Sequence, residues 1–182
     1  MDRNEGPSRR GVVAGMAATG ISRANPPPGS ASGGFDFLHG RWTVTHRKLR
    51  ERLSGSDEWF EFPGTLDVEP ILGGLGNVDW NVLQDLGGAF EATSLRVFDP
   101  GAGRWTIYWL DGRAPSALEP PVVGGFTGAK GIFFADDSFK GRPIKVRTTY
   151  EPLGPGKAQW TQAFSPDGGA TWEVNWIMDF AR

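Results

Sequence analysis

Cysteine is absent from the 182 residues of this chain, and the absence excludes several kinds of chemistry. Without a thiol there is no disulfide framework, no thiolate nucleophile and no cysteine-ligated zinc or iron–sulfur centre. Histidine is almost as scarce, because only His39 and His46 occur. Two histidines near the start of the chain are a poor match for the clusters of histidine and carboxylate that hold metal ions. We therefore predict neither a metal site nor a cofactor.

An excess of charge of one sign is also lacking. The chain has 19 basic and 21 acidic side chains, which gives a formal net charge of -2. Because nucleic-acid-binding proteins usually present a strongly basic surface, this balance argues against a nucleic-acid partner. Long apolar runs are missing as well, since the run at residues 11–21 is shorter than the roughly 20 residues that a membrane-spanning helix needs.

The first 34 residues differ from the rest of the chain. Arg9 and Arg10 directly precede the short apolar run, and a proline-rich stretch follows it. This order resembles a twin-arginine export signal. We expect residues 1–34 to be an export signal and flexible linker, which would place the mature protein in the periplasm or outside the cell with no membrane span. The alternative is a disordered arm that contains a chance pair of arginines.

Glycine and proline are abundant, with 27 and 14 copies, and they punctuate the chain from residue 35 onward. Runs rich in β-branched and aromatic residues lie between these turn signals at a spacing of about ten residues, which is typical of a β-sandwich or β-barrel. The predicted strands are residues 41–53, 59–68, 75–83, 91–99, 104–111, 122–127, 131–137, 144–151, 158–164 and 171–181. Short connections favour an antiparallel meander, and closure into a barrel removes exposed edges. We predict one all-β domain, residues 35–182, in which a short helical turn precedes a barrel of about ten strands.

Alternation along the strands predicts which side chains face the barrel interior. Trp42, Val44 and His46 share one face of the first predicted strand. Three further sets of alternating residues share a face in the same way: Trp105, Ile107 and Trp109; Ile132, Phe134 and Asp136; and Trp172, Val174, Trp176, Met178 and Phe180. Since a barrel of this size either fills with side chains or holds a small ligand, aromatic residues on these faces are candidates for a pocket.

The residues that we predict to bind a ligand are His46, Trp109, Phe134, Trp160 and Trp176. The candidates for catalysis are His46 as a general base, with Asp79, Tyr108 or Arg147 to orient it or to stabilise developing charge. Asn77, Asp79 and Asn81 share one face of the third predicted strand. They either face solvent, which is the simpler interpretation, or form a polar wall of the pocket.

Two short motifs concern turns and packing. Gly40-Arg41-Trp42 opens the first predicted strand, where glycine permits a tight turn and tryptophan closes the end of a barrel. The segment from Ser165 to Trp172 matches the Asp-box hairpin of sialidase-type propellers. A propeller needs at least four blades and several copies of the motif, so we interpret the single copy as a stabilised turn and not as a sign of glycosidase activity.

Several segments together resemble a bacterial domain-of-unknown-function family of calycin-like proteins. They include Phe35-Asp36-Phe37-Leu38-His39-Gly40-Arg41-Trp42, Gly73-Gly74-Leu75-Gly76-Asn77, Leu95-Arg96-Val97-Phe98-Asp99-Pro100, Trp105-Thr106-Ile107-Tyr108-Trp109 and the stretch at residues 160–180. The resemblance extends over nearly all of residues 35–182. It implies a lipocalin-like barrel, and it supplies no substrate, cofactor or catalytic residue.

These observations leave three hypotheses about function. The first is an exported barrel that binds a small apolar or aromatic molecule in an aromatic-lined cavity. The second is a barrel enzyme, a cyclase, isomerase or hydrolase, that uses His46 as general base. The third is a structural or interaction protein whose barrel is filled. A void lined by aromatic residues favours the first hypothesis, polar groups that converge on His46 favour the second, and a packed interior favours the third.

Overall fold

The computed structural model of the protein describes residues 31–182. Of the predicted export signal and flexible linker at residues 1–34, residues 1–30 lie outside the described residues. A 3-10 helix (Ala31–Leu38) precedes ten strands, and a second short 3-10 helix (Leu72–Gly74) joins the second strand to the third. The strands are β1 (Gly40–Leu49), β2 (Trp59–Ile71), β3 (Gly76–Asp85), β4 (Gly88–Asp99), β5 (Arg104–Asp111), β6 (Val122–Thr127), β7 (Lys130–Phe139), β8 (Arg142–Gly154), β9 (Lys157–Ser165) and β10 (Glu173–Ala181).

The strands form one closed antiparallel barrel. Each strand pairs with the next one along the chain, and β1 closes the sheet by pairing with β10, where His46 lies opposite Met178. Closure leaves no unpaired edge strand among the ten, which removes the surface on which β-proteins aggregate. The predicted all-β fold, the meander and the N-terminal helical turn are confirmed.

The N-terminal 3-10 helix closes one end of the barrel. Phe35 is fully buried and contacts the rings of Trp105 and Tyr150 at centroid distances of 4.9 and 5.0 Å. The indole N–H of Trp42 donates to the carbonyl oxygen of Leu38 at 2.7 Å. Buried indole groups usually need such a partner, so the Gly-x-Trp motif ties the helix to the start of β1.

The C-terminal residue completes this closure. The guanidinium of Arg182 lies 3.8 Å from the centroid of the Trp42 ring and donates to the carbonyl oxygens of Phe37 and His39 at 3.0 and 2.8 Å. A cation over an aromatic face is attracted by the ring's electron density. The first and last segments of the barrel are thus joined at the closed end.

Two predicted faces differ from the structure. In β10, a register shift between Val174 and Trp176 places Asn175 in the interior, so that Trp176, Met178 and Phe180 point inward while Val174 points outward. A bulge inserts one residue and therefore reverses the facing of every residue beyond it. The assignment of Trp172 and Val174 to the apolar inner face was wrong for this reason.

The second difference concerns β7. Gly131 and Phe133 are buried, whereas Phe134 is 47 % exposed and packs against Trp172 on the outside of the barrel, with ring centroids 6.0 Å apart. Residues 132–134 are apolar at three consecutive positions, so alternation does not reveal which face is buried. The prediction that Phe134 faces a pocket was wrong.

The Asp-box segment forms a stabilised turn, as the sequence suggested. Asp167 accepts hydrogen bonds from the hydroxyl groups of Ser165 and Thr171 and from the backbone N–H of Thr171. These bonds hold the pKa of its carboxyl well below the usual range. Gly168 and Gly169 adopt positive φ values of 74° and 105°, which favour glycine. The segment connects β9 to β10.

Candidate functional site

A cavity of about 330 Å³ lies inside the barrel. It extends from the residues that close one end of the barrel to the opposite, open end, where the loop residues Arg113, Glu119 and Pro120 contribute to its lining. Three indole rings meet inside the barrel, because Trp176 on β10 contacts Trp160 on β9 and Trp109 on β5 edge-on at centroid distances of 5.2 and 6.2 Å. Apolar side chains that complete the lining include Leu66, Ile107, Val122, Val146, Phe164, Met178 and Phe180.

A buried charged network lies on the β3–β4 side of the barrel. Arg96 donates to Asp79 at 2.6 Å and to the Asn77 amide oxygen at 2.9 Å, and its guanidinium also lies 3.4 Å from the Tyr150 hydroxyl. The other Asp79 oxygen accepts from the backbone N–H of Ser94 at 2.7 Å. Since a buried charge is tolerated only when it is paired and hydrogen-bonded, Asp79 neutralises Arg96 in place.

Asn77, Asp79 and Asn81 are all buried, so the preferred prediction that they face solvent was wrong. The alternative, a polar wall inside the barrel, describes their position. Alternation placed the three residues on one face correctly, but their polarity favoured the outer face. Arg96 was not predicted as an interior residue. The β3–β4 register places it directly opposite Asn77 and within reach of Asp79, and that register was the signal that could have located it.

Three buried polar atoms of residues that line the cavity lack a hydrogen-bond partner among residues 31–182. They are the Nε of Arg96, the amide oxygen of Asn81 and the hydroxyl of Thr148. Buried polar atoms in folded proteins nearly always have partners, and leaving one unsatisfied costs about 1–3 kcal/mol. Each of these atoms has almost no accessible surface, so a hydrogen bond to a molecule in the cavity would require its side chain to shift.

His46 lies in the interior but does not line the cavity. Its ring stacks on Phe62 at a centroid distance of 4.5 Å, and its Nδ1 accepts a hydrogen bond from the indole N–H of Trp176 at 3.2 Å. Because indole only donates, Nδ1 is unprotonated and Nε2 carries the proton of the neutral ring. Burial, reinforced by the charge of Lys48, lowers the pKa of His46 to about 4. The neutral imidazole therefore holds Trp176 in the cavity wall.

Lys48 follows His46 on the same inner face and does line the cavity. It is 9 % exposed, and its ammonium lies 4.0 Å from the centroid of a Trp176 ring. No carboxylate oxygen lies within 4.0 Å of it in the described part of the chain. Burial lowers the pKa of Lys48 to about 8. Lys48 was not predicted as a site residue, although the alternation of Trp42, Val44 and His46 continues to it.

The structure brings together only some of the predicted site residues. Trp109, Trp160 and Trp176 line the cavity, and Asp79 acts on it through Arg96. Tyr108 lies between the inward-facing Ile107 and Trp109 and outside the lining. Arg147 lines an outer groove with Ile132 and has its guanidinium 4.4 Å from the centroid of a Trp172 ring.

His46, Tyr108 and Arg147 thus do not converge on one point of the cavity. No cluster of three or more metal-ligating side chains occurs within residues 31–182. In the same range, no helix is both long enough and apolar enough to cross a membrane.

No family model matches the chain, and no curated protein matches it in sequence. Among solved structures, the barrel is similar to the S-type phycobiliprotein lyase CPES from Guillardia theta. The alignment covers 85% of this chain and 93% of that one, with a TM-score of 0.57 and 8% sequence identity. A likeness at this identity concerns the fold alone. The chain is a ten-stranded antiparallel barrel of the lipocalin-like type.

Proposed function

We propose that this protein binds one small, largely apolar or aromatic molecule in the barrel cavity. The observation that carries the proposal is a cavity whose lining combines three tryptophan rings and other apolar side chains with a few polar ones, among them Asn81 and Thr148. Its volume of about 330 Å³ lies near the lower end of the range for small-molecule sites, which are mostly apolar with a few converging polar groups. The presence of this cavity distinguishes the proposal from the hypothesis of a structural barrel that is filled with side chains.

The polar wall favours a ligand with an uncharged hydrogen-bonding group. Asp79 already neutralises Arg96 at 2.6 Å, so a ligand carboxylate near Arg96 would add a net negative charge to a buried site. A hydroxyl, carbonyl or amide group carries no charge, so its binding does not require a charge to be removed from water. It can also act as donor or acceptor toward polar side chains of the lining.

The position of His46 favours binding over the hypothesis of an enzyme with this residue as general base. A general base must reach the proton that it abstracts, and its pKa should lie near the working pH. His46 is outside the cavity lining, and burial lowers its pKa to about 4.

The binding test is calorimetric titration of the full chain with β-naphthylmethanol, an uncharged aromatic alcohol. We expect one site, and a dissociation constant that rises about tenfold or more in Trp109→Ala, because a tenfold change is only about 1.4 kcal/mol of lost aromatic contact. Trp80→Ala is the matched control, since Trp80 is 50 % exposed and absent from the cavity lining. Equal weakening by both variants, or no binding by the parent, would contradict the proposal.

Export through the twin-arginine route is a second part of the proposal. Its support is the pair Arg9-Arg10 before the short apolar run. Residues 1–34 fused to a reporter that is active only outside the cytoplasm should be exported. The Arg9→Lys, Arg10→Lys double variant keeps both charges and should abolish export. Unchanged export of that variant would show that the arginine pair is not the signal.

A further inference from the structure

Lys48 is unlike the other four lysines of the chain, Lys130, Lys140, Lys145 and Lys157. Lys130, Lys140 and Lys157 are exposed, and the ammonium groups of Lys130 and Lys145 pair with Glu151 and Asp136 at 3.0 and 2.6 Å. Lys48 alone among the five lines the barrel cavity. It also lacks a close carboxylate, and its ammonium lies against the face of Trp176.

Burial increases the share of the uncharged amine at Lys48. Burial is the main cause that lowers the pKa of Lys48 to about 8, and the positive charge of Arg52 acts in the same direction. Arg113 adds to this effect, whereas Asp85 and Asp111 oppose it. With a pKa of about 8, roughly a tenth of the amine is uncharged at neutral pH, compared with about one part in 2,500 for an ordinary lysine. An uncharged amine in an apolar pocket is a nucleophile.

The charges around Lys48 argue against a carboxylate ligand. Three basic residues line the cavity near its open end, Lys48, Arg52 and Arg113, and they are matched by three acidic residues, Asp111, Glu119 and Asp137. Asp111 is already paired with Arg113 at 2.6 Å. Because this end has no excess positive charge, it has no field that would select an anion. An uncharged group that reacts with an amine fits the site better.

We propose that Lys48 captures the carbonyl carbon of an aldehyde or ketone ligand as a reversible imine. The nitrogen lone pair adds to the carbonyl carbon, the carbonyl π bond breaks, and one proton passes from the nitrogen to the oxygen. The carbinolamine that results then loses its hydroxyl group together with the second nitrogen proton as water, and the nitrogen lone pair forms the C=N bond. One water molecule leaves for each ligand bound, and no oxidant or reductant is consumed. This inference rests on the proposed function and narrows its ligand to a carbonyl compound whose aromatic part lies against Trp109 and Trp176.

The test is reductive trapping of the full-length protein. β-Naphthaldehyde is added at neutral pH with sodium cyanoborohydride, which converts an imine to a stable secondary amine, and the modified lysine is located by peptide mass spectrometry. We expect Lys48 to be labelled at least tenfold faster than any of the four other lysines. Lys48→Met should lose this adduct, whereas the control Lys130→Met, at an exposed lysine, should retain it. Lys48→Arg keeps the positive charge beside Trp176 and should also lose the adduct.

Two results would overturn the proposal. One is labelling that spreads over the exposed lysines in proportion to their accessibility. The other is an equal amount of fast-forming adduct in the parent, in Lys48→Met and in Lys48→Arg. β-Naphthylmethanol, which lacks the carbonyl, separates this inference from the proposed function. If the alcohol binds but the aldehyde is not trapped, the imine is wrong and the binding function stands. If the alcohol does not bind and the aldehyde is not trapped, both are wrong.

Discussion

His46 and Lys48 are two ionisable residues on the inner face of one strand, and burial acts on both in the same direction. It disfavours the charged form and lowers both pKa values, to about 4 and about 8. For His46 the hydrogen bond from Trp176 adds to this effect, because a proton on Nδ1 would remove the acceptor. In the folded protein the His46 imidazole therefore stays neutral at pH values at which the same side chain is protonated in the unfolded chain.

This difference predicts how stability depends on pH. From about pH 6.5 down to about pH 4 the unfolded state binds more protons than the folded state at His46, so the free energy of unfolding falls as the pH falls. The loss between pH 7 and 4.5 should be about 2–3 kcal/mol. In His46→Gln this part of the loss should vanish. Urea unfolding of the two proteins at both pH values measures it.

His39→Gln is the control for this measurement. His39 is only partly buried, and the charge of Asp36 opposes the lowering of its pKa by burial. We therefore expect His39→Gln to retain most of the loss that the parent shows. An equal loss in the parent and in His46→Gln would show that the imidazole is not held neutral.

The sequence predicted the aromatic site residues better than the charged ones. Trp109, Trp160 and Trp176 could be selected because large apolar side chains on an alternating strand are buried as a rule. Arg96 and Lys48 were missed because charged residues are rarely buried, and the exceptions depend on partners from other strands. Asp79 is such a partner, and only the pairing of β3 with β4 brings it to Arg96.

At the level of the strands, two adjacent glycines of β6 provide a matched pair for a test of packing. A Cβ at Gly124 would overlap the carbonyl oxygen of Ile132 and would lie 2.8 Å from the Cα of Phe133 on β7. A Cβ at Gly125 would meet nothing within 4 Å. Neither glycine has a positive φ, so space and not backbone conformation distinguishes them.

Gly124→Ala should therefore lower the free energy of unfolding by about 1–3 kcal/mol, which is typical of overpacking. Gly125→Ala should change it by about 0.5 kcal/mol or less, or raise it slightly, because alanine restricts the unfolded chain. Urea unfolding at neutral pH measures both variants. If the two substitutions have the same effect, β6 does not lie as close to β7 as the structure places it.

The ten strands could be predicted because glycine, proline and aspartate mark the turns between them, and the observed bounds of β5 and β6 coincide with the prediction. Which side chains of a strand point into the barrel was less predictable than where the strand begins and ends. The bulge in β10 depends on how Asn175 fits against β9, and alternation within one strand contains no information about it. In β7, residues 132–134 are all apolar, so alternation is compatible with either face of the strand being buried, and Phe134 could be assigned to either face.

For the whole molecule, the sequence indicated a closed barrel but not whether it was hollow. The N-terminal helix and Arg182 close one end, and this leaves the aromatic residues of the opposite half around a cavity instead of a packed core. The volume that remains depends on how ten strands tilt and on which side chains meet in the centre. Neither quantity is determined by the pattern of any one strand.

The most direct test of a ligand-binding barrel uses the eight tryptophans as reporters. Trp109, Trp160 and Trp176 line the cavity, whereas Trp59, Trp80 and Trp172 are absent from its lining. The measurement is a proton–nitrogen NMR spectrum of the indole groups during titration with β-naphthylmethanol, with peaks assigned by single Trp→Phe variants. The structure predicts saturable shifts of the three cavity indoles at one ligand per protein, while Trp59, Trp80 and Trp172 stay unchanged. Shifts confined to those three outer indoles, or no shifts at all, would contradict a ligand site inside the barrel.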